Sequence, residues 1–139
     1  MTDDTKAVFK TFIDYAEAFN TLNPDLVAPF IHLPALLITL KAVVPISNDV
    51  EVKGTFNKFF EELKEGDFKE SKVHGLQINQ VSENQAIVSG TATRYKTNGS
   101  VLEHFGFTYT LRKVDEDWKI IVGVLHNPTE FSATVSLSP

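Results

Sequence analysis

The sequence predicts an α+β fold in which a curved antiparallel sheet packs against three N-terminal helices, in the order α-α-β-α-β-β-β-β. The strongest observation is an Asn-Gly pair at 98–99, which lies between two long alternating segments, 86–97 and 100–114. An Asn-Gly pair between such segments indicates a β-hairpin with a tight turn. Earlier in the chain, apolar residues recur at helical spacing in 5–20 and again in 54–65. We therefore expect the helices to cover one face of the sheet.

Composition indicates one ordinary globular domain over 1–139, with its core in 5–128. At 139 residues the chain is long enough to bury a core without metal or disulfide support, and 42% of it is hydrophobic. Phe is over-used, at 11 of 139 residues, so we expect aromatic rings to build the core. The chain contains no cysteine, which excludes thiol nucleophiles, disulfides and thiolate zinc sites.

Charge and hydropathy limit the kinds of partner. The net charge is −5 and the sequence has no cluster of Lys and Arg, so we expect no nucleic-acid partner, which would need a basic surface. No apolar run approaches the length of a membrane span, and the acidic first residues lack the pattern of a signal peptide. We therefore expect a cytoplasmic protein with no membrane partner.

Three helices are predicted ahead of the main sheet. The first, 5–20, carries an apolar stripe along one face. The second, 24–30, begins with Asn23 as N-cap and a proline at its first position. The third, 54–65, has Phe at successive turns and ends at Gly66. The stripes of the first and third helices consist of Val8, Phe12, Tyr15, Ala16, Phe19, Phe56, Phe59, Phe60 and Leu63.

The remaining segments are predicted as strands and a tail. The segment 32–46 is expected to be one strand, which is apolar on both faces and therefore covered on both sides or at a subunit contact. Four antiparallel strands follow over 73–126, with turns near 83–85, at 98–99 and at 115–116. The tail, 129–139, is expected to be a polar C-terminal arm.

A two-residue turn at 98–99 fixes the pairing of the central hairpin, so that Thr97 faces Ser100 and Arg94 faces Glu103. One face of the hairpin then sets small residues opposite aromatic rings, which predicts the core face. The other face is polar and rich in threonine, and it holds His104. The pairs expected on the core face are Ala92 with Phe105, Gly90 with Phe107 and Val88 with Tyr109.

Extending this register to the flanking strands needs two assumptions about turns. A two-residue turn at 115–116 brings Trp118 and His126 to the aromatic face, together with Ile120, Val122 and Val124. A turn of three residues at 83–85 brings Leu76 and Ile78 to the same face. The two assumptions together gather His74, Arg94, Glu103 and His126 at one end of the core face.

Two local stretches complete this pattern of elements. They are Tyr-Ala-Glu-Ala-Phe-Asn at 15–20, running into Asn-Pro-Asp at 23–25, and Asp-Trp-Lys-Ile-Ile at 117–121. With them, the region 5–128 resembles the nuclear-transport-factor-2-like superfamily, which includes SnoaL-like, ketosteroid-isomerase-like and scytalone-dehydratase-like enzymes. The resemblance implies a conical pocket between the concave face of the sheet and the helices, and often a dimer. The superfamily also includes transport factors and accessory domains, so the fold alone does not decide the function.

The resemblance carries over few catalytic residues. Ketosteroid-isomerase-like members use a tyrosine of the first helix as a hydrogen-bond donor, and Tyr15 looks like its equivalent. Their general base is a carboxylate on the first strand, whereas the corresponding stretch 35–41 contains no acid. Dehydratase-like members place an acid at the end of the first helix, where this chain has Asn20. Both departures argue against those two chemistries.

The core-face residues favour a small-molecule-binding or accessory domain with a mostly apolar pocket. Arg94 would hold the anionic or polar end of the ligand at the pocket mouth, although its position opposite Glu103 is also explained by a cross-strand ion pair. The missing acid on the first strand supports this interpretation. The expected ligand-binding residues are Phe12, Tyr15, Phe19, Phe60, His74, Arg94, Phe107, Tyr109, Trp118 and His126.

An alternative is an acid–base enzyme that needs no cofactor, such as an isomerase, dehydratase or cyclase. In this mechanism His126 transfers the proton, Glu103 or Arg94 orients it, and Tyr15 donates to developing oxyanion charge. The mechanism requires His126 and Tyr15 to face one cavity. The four histidines show no metal-ligand spacing, so no metal site is predicted.

A third alternative is a structural dimerisation module whose cone is filled by its own Phe side chains. We expect a homodimer to form through the threonine-rich outer face of the sheet.

Overall fold

The computed structural model describes residues 2–128 and confirms the predicted α+β class, with three helices and a curved sheet. The predicted polar arm at 129–139 lies outside the described residues. The elements are α1 (Asp3–Asn20), α2 (Pro24–Val27), a 3₁₀ turn (Ala28–Phe30), β1 (Ile31–Ile38), β2 (Val43–Ile46), α3 (Asp49–Glu65), β3 (Phe68–Ser82), β4 (Gln85–Lys96), β5 (Val101–Val114) and β6 (Asp117–His126).

Side-chain caps set where the two long helices begin. The Thr2 hydroxyl accepts from the backbone N–H of Thr5 at 3.1 Å and opens α1. The Asn48 side chain accepts from the N–H of Glu51 at 2.9 Å and opens α3 at Asp49, which is earlier than the predicted start at residue 54. Helix α3 ends at Gly66, as predicted. Both helices bury their apolar faces against the sheet.

The sheet has the strand order β2-β1-β6-β5-β4-β3, and β1 runs parallel to β6 while the other pairs are antiparallel. The prediction of a single strand over 32–46 is wrong, because β1 and β2 form a hairpin. The Thr39 hydroxyl closes its turn by accepting from the N–H groups of Lys41 and Ala42, at 3.2 and 3.0 Å. Neither glycine nor proline marks this turn in the sequence.

The central hairpin has the predicted register, with Arg94 opposite Glu103 and Gly90 opposite Phe107. Its turn is different from the predicted one, because only Gly99 has a positive φ and its N–H donates to the Lys96 carbonyl at 2.9 Å. The turn therefore has three residues, which contradicts the predicted pairing of Thr97 with Ser100. An irregularity between Arg94 and Tyr95 offsets this extra residue and restores the register.

The predicted faces of β6 are wrong beyond Ile120. The two-residue turn at 115–116 forms, and Trp118 and Ile120 lie on the inner face. A bulge then adds one residue to β6, so that Thr110 pairs with Val122 rather than with Ile121. Because side chains alternate between faces, the extra residue moves Val122, Val124 and His126 to the outer face and brings Gly123 and Leu125 inward.

The predicted position of His74 opposite Arg94 on the core face is wrong. Its turn into β4 has two residues, with Ser82 paired to Gln85, and the register shifts again between His74 and Gln77. His74 therefore lies opposite Thr91 on the outer face and is exposed. Ser71 occupies the place opposite Arg94.

The core lies between the inner face of the sheet and helices α1 and α3, and it is built from aromatic rings as the composition predicts. Phe12 of α1 stacks on Phe107 of β5 with ring centroids 5.2 Å apart, and Phe19 meets Phe60 of α3 edge-on at 5.0 Å. No helix among residues 2–128 is long and apolar enough to cross a membrane.

Candidate functional site

A cavity of about 410 Å³ lies between the inner face of the sheet and the helices. Side chains from α1, α3, the β1–β2 hairpin and strands β4, β5 and β6 form its walls, which are mostly aromatic and aliphatic. The lining residues are Tyr15, Phe19, Leu37, Ile38, Thr39, Leu40, Lys41, Phe56, Phe59, Glu62, Leu63, Arg94, Leu102, Glu103, Tyr109, Gly123 and Leu125.

Arg94 is the most constrained charged group of the cavity. It extends from the inner face of β4, and its side chain is 13% exposed. Nη1 donates to Oε2 of Glu103 at 2.7 Å, and the guanidinium lies 4.5 Å from the ring centroid of Phe105 and 5.4 Å from that of Phe19. The opposite charge and the two rings therefore hold the guanidinium in one orientation.

Tyr15 and Tyr109 place two neighbouring phenols in the cavity wall, with ring centroids 6.0 Å apart. Burial raises the pKa of Tyr15 well above its usual value, and the adjacent Tyr109 adds to the rise. Burial also raises the pKa of Tyr109, although the Tyr15 hydroxyl and Arg94 act in the other direction. Both phenols are therefore protonated near neutral pH, where each hydroxyl can donate a hydrogen bond.

The charges around the cavity are balanced. Arg94 and Glu103 form an ion pair from neighbouring strands, while Lys41 on the hairpin turn and Glu62 on α3 add one charge of each sign. Such a lining, apolar with a few polar groups that converge on it, is typical of small-molecule sites.

The structure divides the predicted ligand-binding residues into four groups. Tyr15, Phe19, Arg94 and Tyr109 line the cavity, and so does the catalytic candidate Glu103. A smaller cleft beside the cavity is lined by Phe12 and Phe107. Phe60 and Trp118 are buried in the core and line neither space, whereas His74 and His126 lie on the outer face.

His126 is separated from Tyr15 by the sheet, which contradicts its expected position on the core face. It lies opposite Gly106, where its Nδ1 donates to the Asn127 carbonyl at 2.9 Å and its Nε2 accepts from the Thr108 hydroxyl at 3.2 Å. The bulge in β6 is the physical reason. The mechanism in which His126 and Tyr15 act on one substrate is therefore excluded.

Several cavity residues were not predictable as site residues from the sequence. The β6 bulge brings Gly123 and Leu125 to the inner face, where they line the cavity. The β1–β2 hairpin, which the sequence did not indicate, places the stretch 37–41 in the cavity wall. The spacing of Phe56 and Phe59 on α3 predicted an apolar face, and this face forms part of the wall. No group of His, Asp and Glu in the described part of the chain is arranged to hold a metal ion.

Comparison with known proteins places this architecture in a family. The sequence matches the family described as NTF2-like protein (DUF6841) over residues 4–128. No curated protein matches the sequence.

Solved structures share the fold at low sequence identity. An NTF2-like protein of unknown function from Shewanella oneidensis has 17% identity and a TM-score of 0.71, over 88% of this chain and 98% of that one. A protein of unknown function with a cystatin-like fold from Nostoc punctiforme has 11% identity and a TM-score of 0.74, over 93% and 95%. A ketosteroid isomerase-like protein from Erwinia carotovora atroseptica has 15% identity and a TM-score of 0.68, over 94% and 100%.

These likenesses support the fold and leave the activity open, since one fold serves many functions. The family match over residues 4–128 confirms the resemblance to the nuclear-transport-factor-2-like superfamily that the order of elements implies. With the family match extending over nearly the whole described chain, the chain belongs to the NTF2-like protein family DUF6841.

Proposed function

We propose that this protein binds a small, mostly apolar molecule with a polar or anionic end in the cavity between sheet and helices. The observation that carries the proposal is the cavity itself, about 410 Å³ in volume and lined mainly by aromatic and aliphatic side chains. This volume lies in the range of about 300–1,000 Å³ that small-molecule sites occupy.

The walls support an apolar ligand body. Phe19, Phe56 and Phe59 on the helices face Leu37, Tyr109 and Leu125 on the sheet across the cavity. Burying an apolar molecule between such walls removes hydrocarbon surface from water on both partners, which favours binding.

The polar end of the ligand is assigned to the Arg94 side of the cavity. Arg94 is held by Glu103 and by two aromatic rings, so it loses little side-chain freedom when a ligand binds. Its guanidinium has more donors than the Glu103 contact uses, and these are available to an acceptor.

An acid–base enzyme is supported less well than a binding protein. With His126 on the outer face, Glu103 is the remaining proton-transfer candidate beside Tyr15. The Glu103 carboxylate already accepts from Arg94 at 2.7 Å, so it is committed to an ion pair rather than free to take a substrate proton. The third alternative, a cone filled by its own rings, is opposed by the open cavity.

We also propose that two copies of the chain associate through the outer face of the sheet. The centre of this face presents serine, threonine, valine and histidine side chains, and none from Lys, Arg, Asp or Glu. A face without these four residue types can meet its own copy with little charge repulsion. Its residues are Ser89, Thr91, Thr93, His104, Thr108, Thr110, Val122, Val124 and His126.

Titration with the neutral fluorescent probe Nile red tests the binding proposal. Wild-type protein is expected to enhance the fluorescence of Nile red saturably, and Leu125→Trp is expected to weaken binding at least about tenfold, because an indole there takes up part of the space that the probe needs. Leu26→Trp is the matched control, since Leu26 is exposed and lies away from the lining.

Circular dichroism checks that both variants fold. Absence of saturable binding to the wild type, or equal affinity of Leu125→Trp and wild type, would contradict the proposed function.

A further inference from the structure

The smaller cleft beside the cavity has a volume of about 40 Å³ and lies between α1 and strands β3, β4 and β5. It adjoins the cavity, because Tyr15, Phe19, Arg94 and Tyr109 line both spaces. Its other lining residues are apolar except for one, Ser71. They are Phe12, Ala16, Ser71, Val73, Ala92, Phe105 and Phe107.

Two polar atoms of the residues that line this cleft are buried, and neither finds a hydrogen-bond partner among residues 2–128. They are Oγ of Ser71 and Nε of Arg94. The two residues are paired across β3 and β4, and so their side chains leave the same face of the sheet side by side. Buried polar groups nearly always have a partner, so these two donors call for an acceptor that residues 2–128 do not supply.

Ser71 is held in place by its backbone, which leaves its hydroxyl free to turn. Its N–H donates to Oδ1 of Asn20 at 2.8 Å, and its carbonyl accepts from Nδ2 of Asn20 at 3.2 Å. Asn20 is the last residue of α1, so the end of the helix fixes β3 at this point.

The guanidinium of Arg94 is also held in place. Its Nη1 is bonded to Glu103, and Phe19 and Phe105 lie against its guanidinium. Because the guanidinium is planar, fixing Nη1 and the plane also fixes the direction of the Nε–H bond. The Nε–H of Arg94 is thus oriented before any ligand arrives, and the Ser71 hydroxyl can turn to meet the same acceptor.

We propose that Ser71 Oγ and Arg94 Nε form the subsite for the polar end of the ligand, and that this end is a carboxylate. The inference rests on the proposed binding function and adds the ligand class to it. One carboxylate oxygen accepts from both donors, and its charge is opposite to that of Arg94. A cleft of about 40 Å³ has room for roughly three water-sized groups, which suits a planar carboxylate better than a tetrahedral phosphate.

Isothermal titration calorimetry with decanoate and 1-decanol tests this subsite, because the two probes share one chain and differ in the end group. Wild-type protein is expected to bind decanoate about tenfold more tightly than decanol. Ser71→Ala is expected to remove most of that difference by weakening decanoate alone. Arg94→Lys is expected to do the same, because lysine keeps the charge but lacks the Nε–H donor. Ser47→Ala, at an exposed serine between β2 and α3 that lines neither space, is the control and keeps the wild-type preference.

The outcomes separate this inference from the proposed function. Equal affinities for the two probes, or a preference that Ser71→Ala leaves intact, would overturn the carboxylate subsite while Nile red binding still upholds the cavity. If decanoate, decanol and Nile red all fail to bind, both the carboxylate subsite and the proposed binding function are overturned. A crystal structure of the decanoate complex gives an independent answer. A carboxylate oxygen within hydrogen-bond distance of Ser71 Oγ supports the subsite, whereas a water there, with the carboxylate elsewhere, refutes it.

Discussion

Gly123 faces Tyr109 across β5 and β6, and a Cβ atom at Gly123 would lie 2.5 Å from Cε1 of Tyr109. The same Cβ would lie 3.1 Å from Cδ2 of Leu37. Glycine therefore lets the Tyr109 ring rest directly against the backbone of β6. The ring is kept in the wall of the cavity, and the space in front of it stays open.

We expect Gly123→Ala to push the Tyr109 ring towards the cavity. A contact of 2.5 Å between an aromatic carbon and a methyl group cannot persist, so the ring or the strand must move. The free energy of unfolding is expected to fall by about 1–3 kcal/mol, as in other overpacked sites, and the affinity for Nile red is expected to fall with it. Urea denaturation and fluorescence titration measure the two effects.

Gly54→Ala is the matched control for this change. Gly54 lies inside α3, and nothing is within 4 Å of the Cβ that the substitution adds. Replacing a glycine in a helix interior by alanine is expected to stabilise the protein by about 0.5–1 kcal/mol and to leave Nile red binding unchanged. A Gly123→Ala variant that behaves like Gly54→Ala would show that the cavity wall tolerates the added methyl group.

The position of Arg94 on the cavity wall could be predicted because it depends only on the central hairpin. The predicted turn is wrong in detail, yet Arg94 still faces Glu103 because the irregularity beside Arg94 offsets the longer turn. Small residues of β4 pair with aromatic rings of β5, and this pattern identifies the inner face of the hairpin even when the turn is predicted wrongly.

The position of His126 could not be predicted, because a single extra residue reverses the faces of a strand. Neither glycine nor proline stands at Ile121, where β6 bulges, and apolar residues occupy both faces around it. The β1–β2 turn is hidden for a related reason: the Thr39 side chain closes it. Sequence periodicity therefore locates the strands, whereas their faces depend on bulges that leave little trace in it.

Glu103→Gln is expected to strengthen the binding of decanoate several-fold, up to about tenfold. In the wild type the carboxylate of Glu103 competes with a ligand carboxylate for the charge of Arg94, and the amide removes that competition. The free energy of unfolding is expected to fall by about 1–3 kcal/mol, because the amide can still accept from Arg94 but no longer balances the charge of a side chain that is 13% exposed. Calorimetric titration and urea denaturation provide the two measurements.

Asp14→Asn is the control for this substitution, since it breaks the exposed Lys10–Asp14 pair on α1, whose residues do not line the cavity. Weaker decanoate binding by Glu103→Gln than by wild type would mean that orienting Arg94 matters more than competing with the ligand.

The buried tyrosines predict a loss of stability at alkaline pH. The pKa of Tyr15 is well above the ordinary value of 10.0 in the folded protein because burial opposes its ionisation. The folded state therefore keeps a proton that the unfolded state releases above about pH 10. This contribution to stability is complete below the ordinary value and is lost as the pH rises through it towards the raised pKa.

We expect the free energy of unfolding to fall between about pH 9 and pH 11, and to fall less steeply in Tyr15→Phe. Tyr109→Phe is expected to reduce the slope as well, because the pKa of Tyr109 is also raised by burial. Urea denaturation at a series of pH values gives the slope. A Tyr15→Phe variant with the wild-type slope would show that the sensitivity comes from other groups.

Thr108→Arg is expected to convert the proposed dimer into a monomer. Thr108 lies near the centre of the outer face and bonds to His126, and in a two-fold dimer each substituted residue meets the same face of the other copy. Two arginines brought close together repel each other, and burying them is costly. Sedimentation equilibrium measures the mass directly. Thr97→Arg in the exposed turn between β4 and β5 adds the same charge away from this face and should leave the mass unchanged. If the wild type sediments as a monomer at millimolar concentration, the outer face is not a contact between copies, and its threonines are simply a solvated surface.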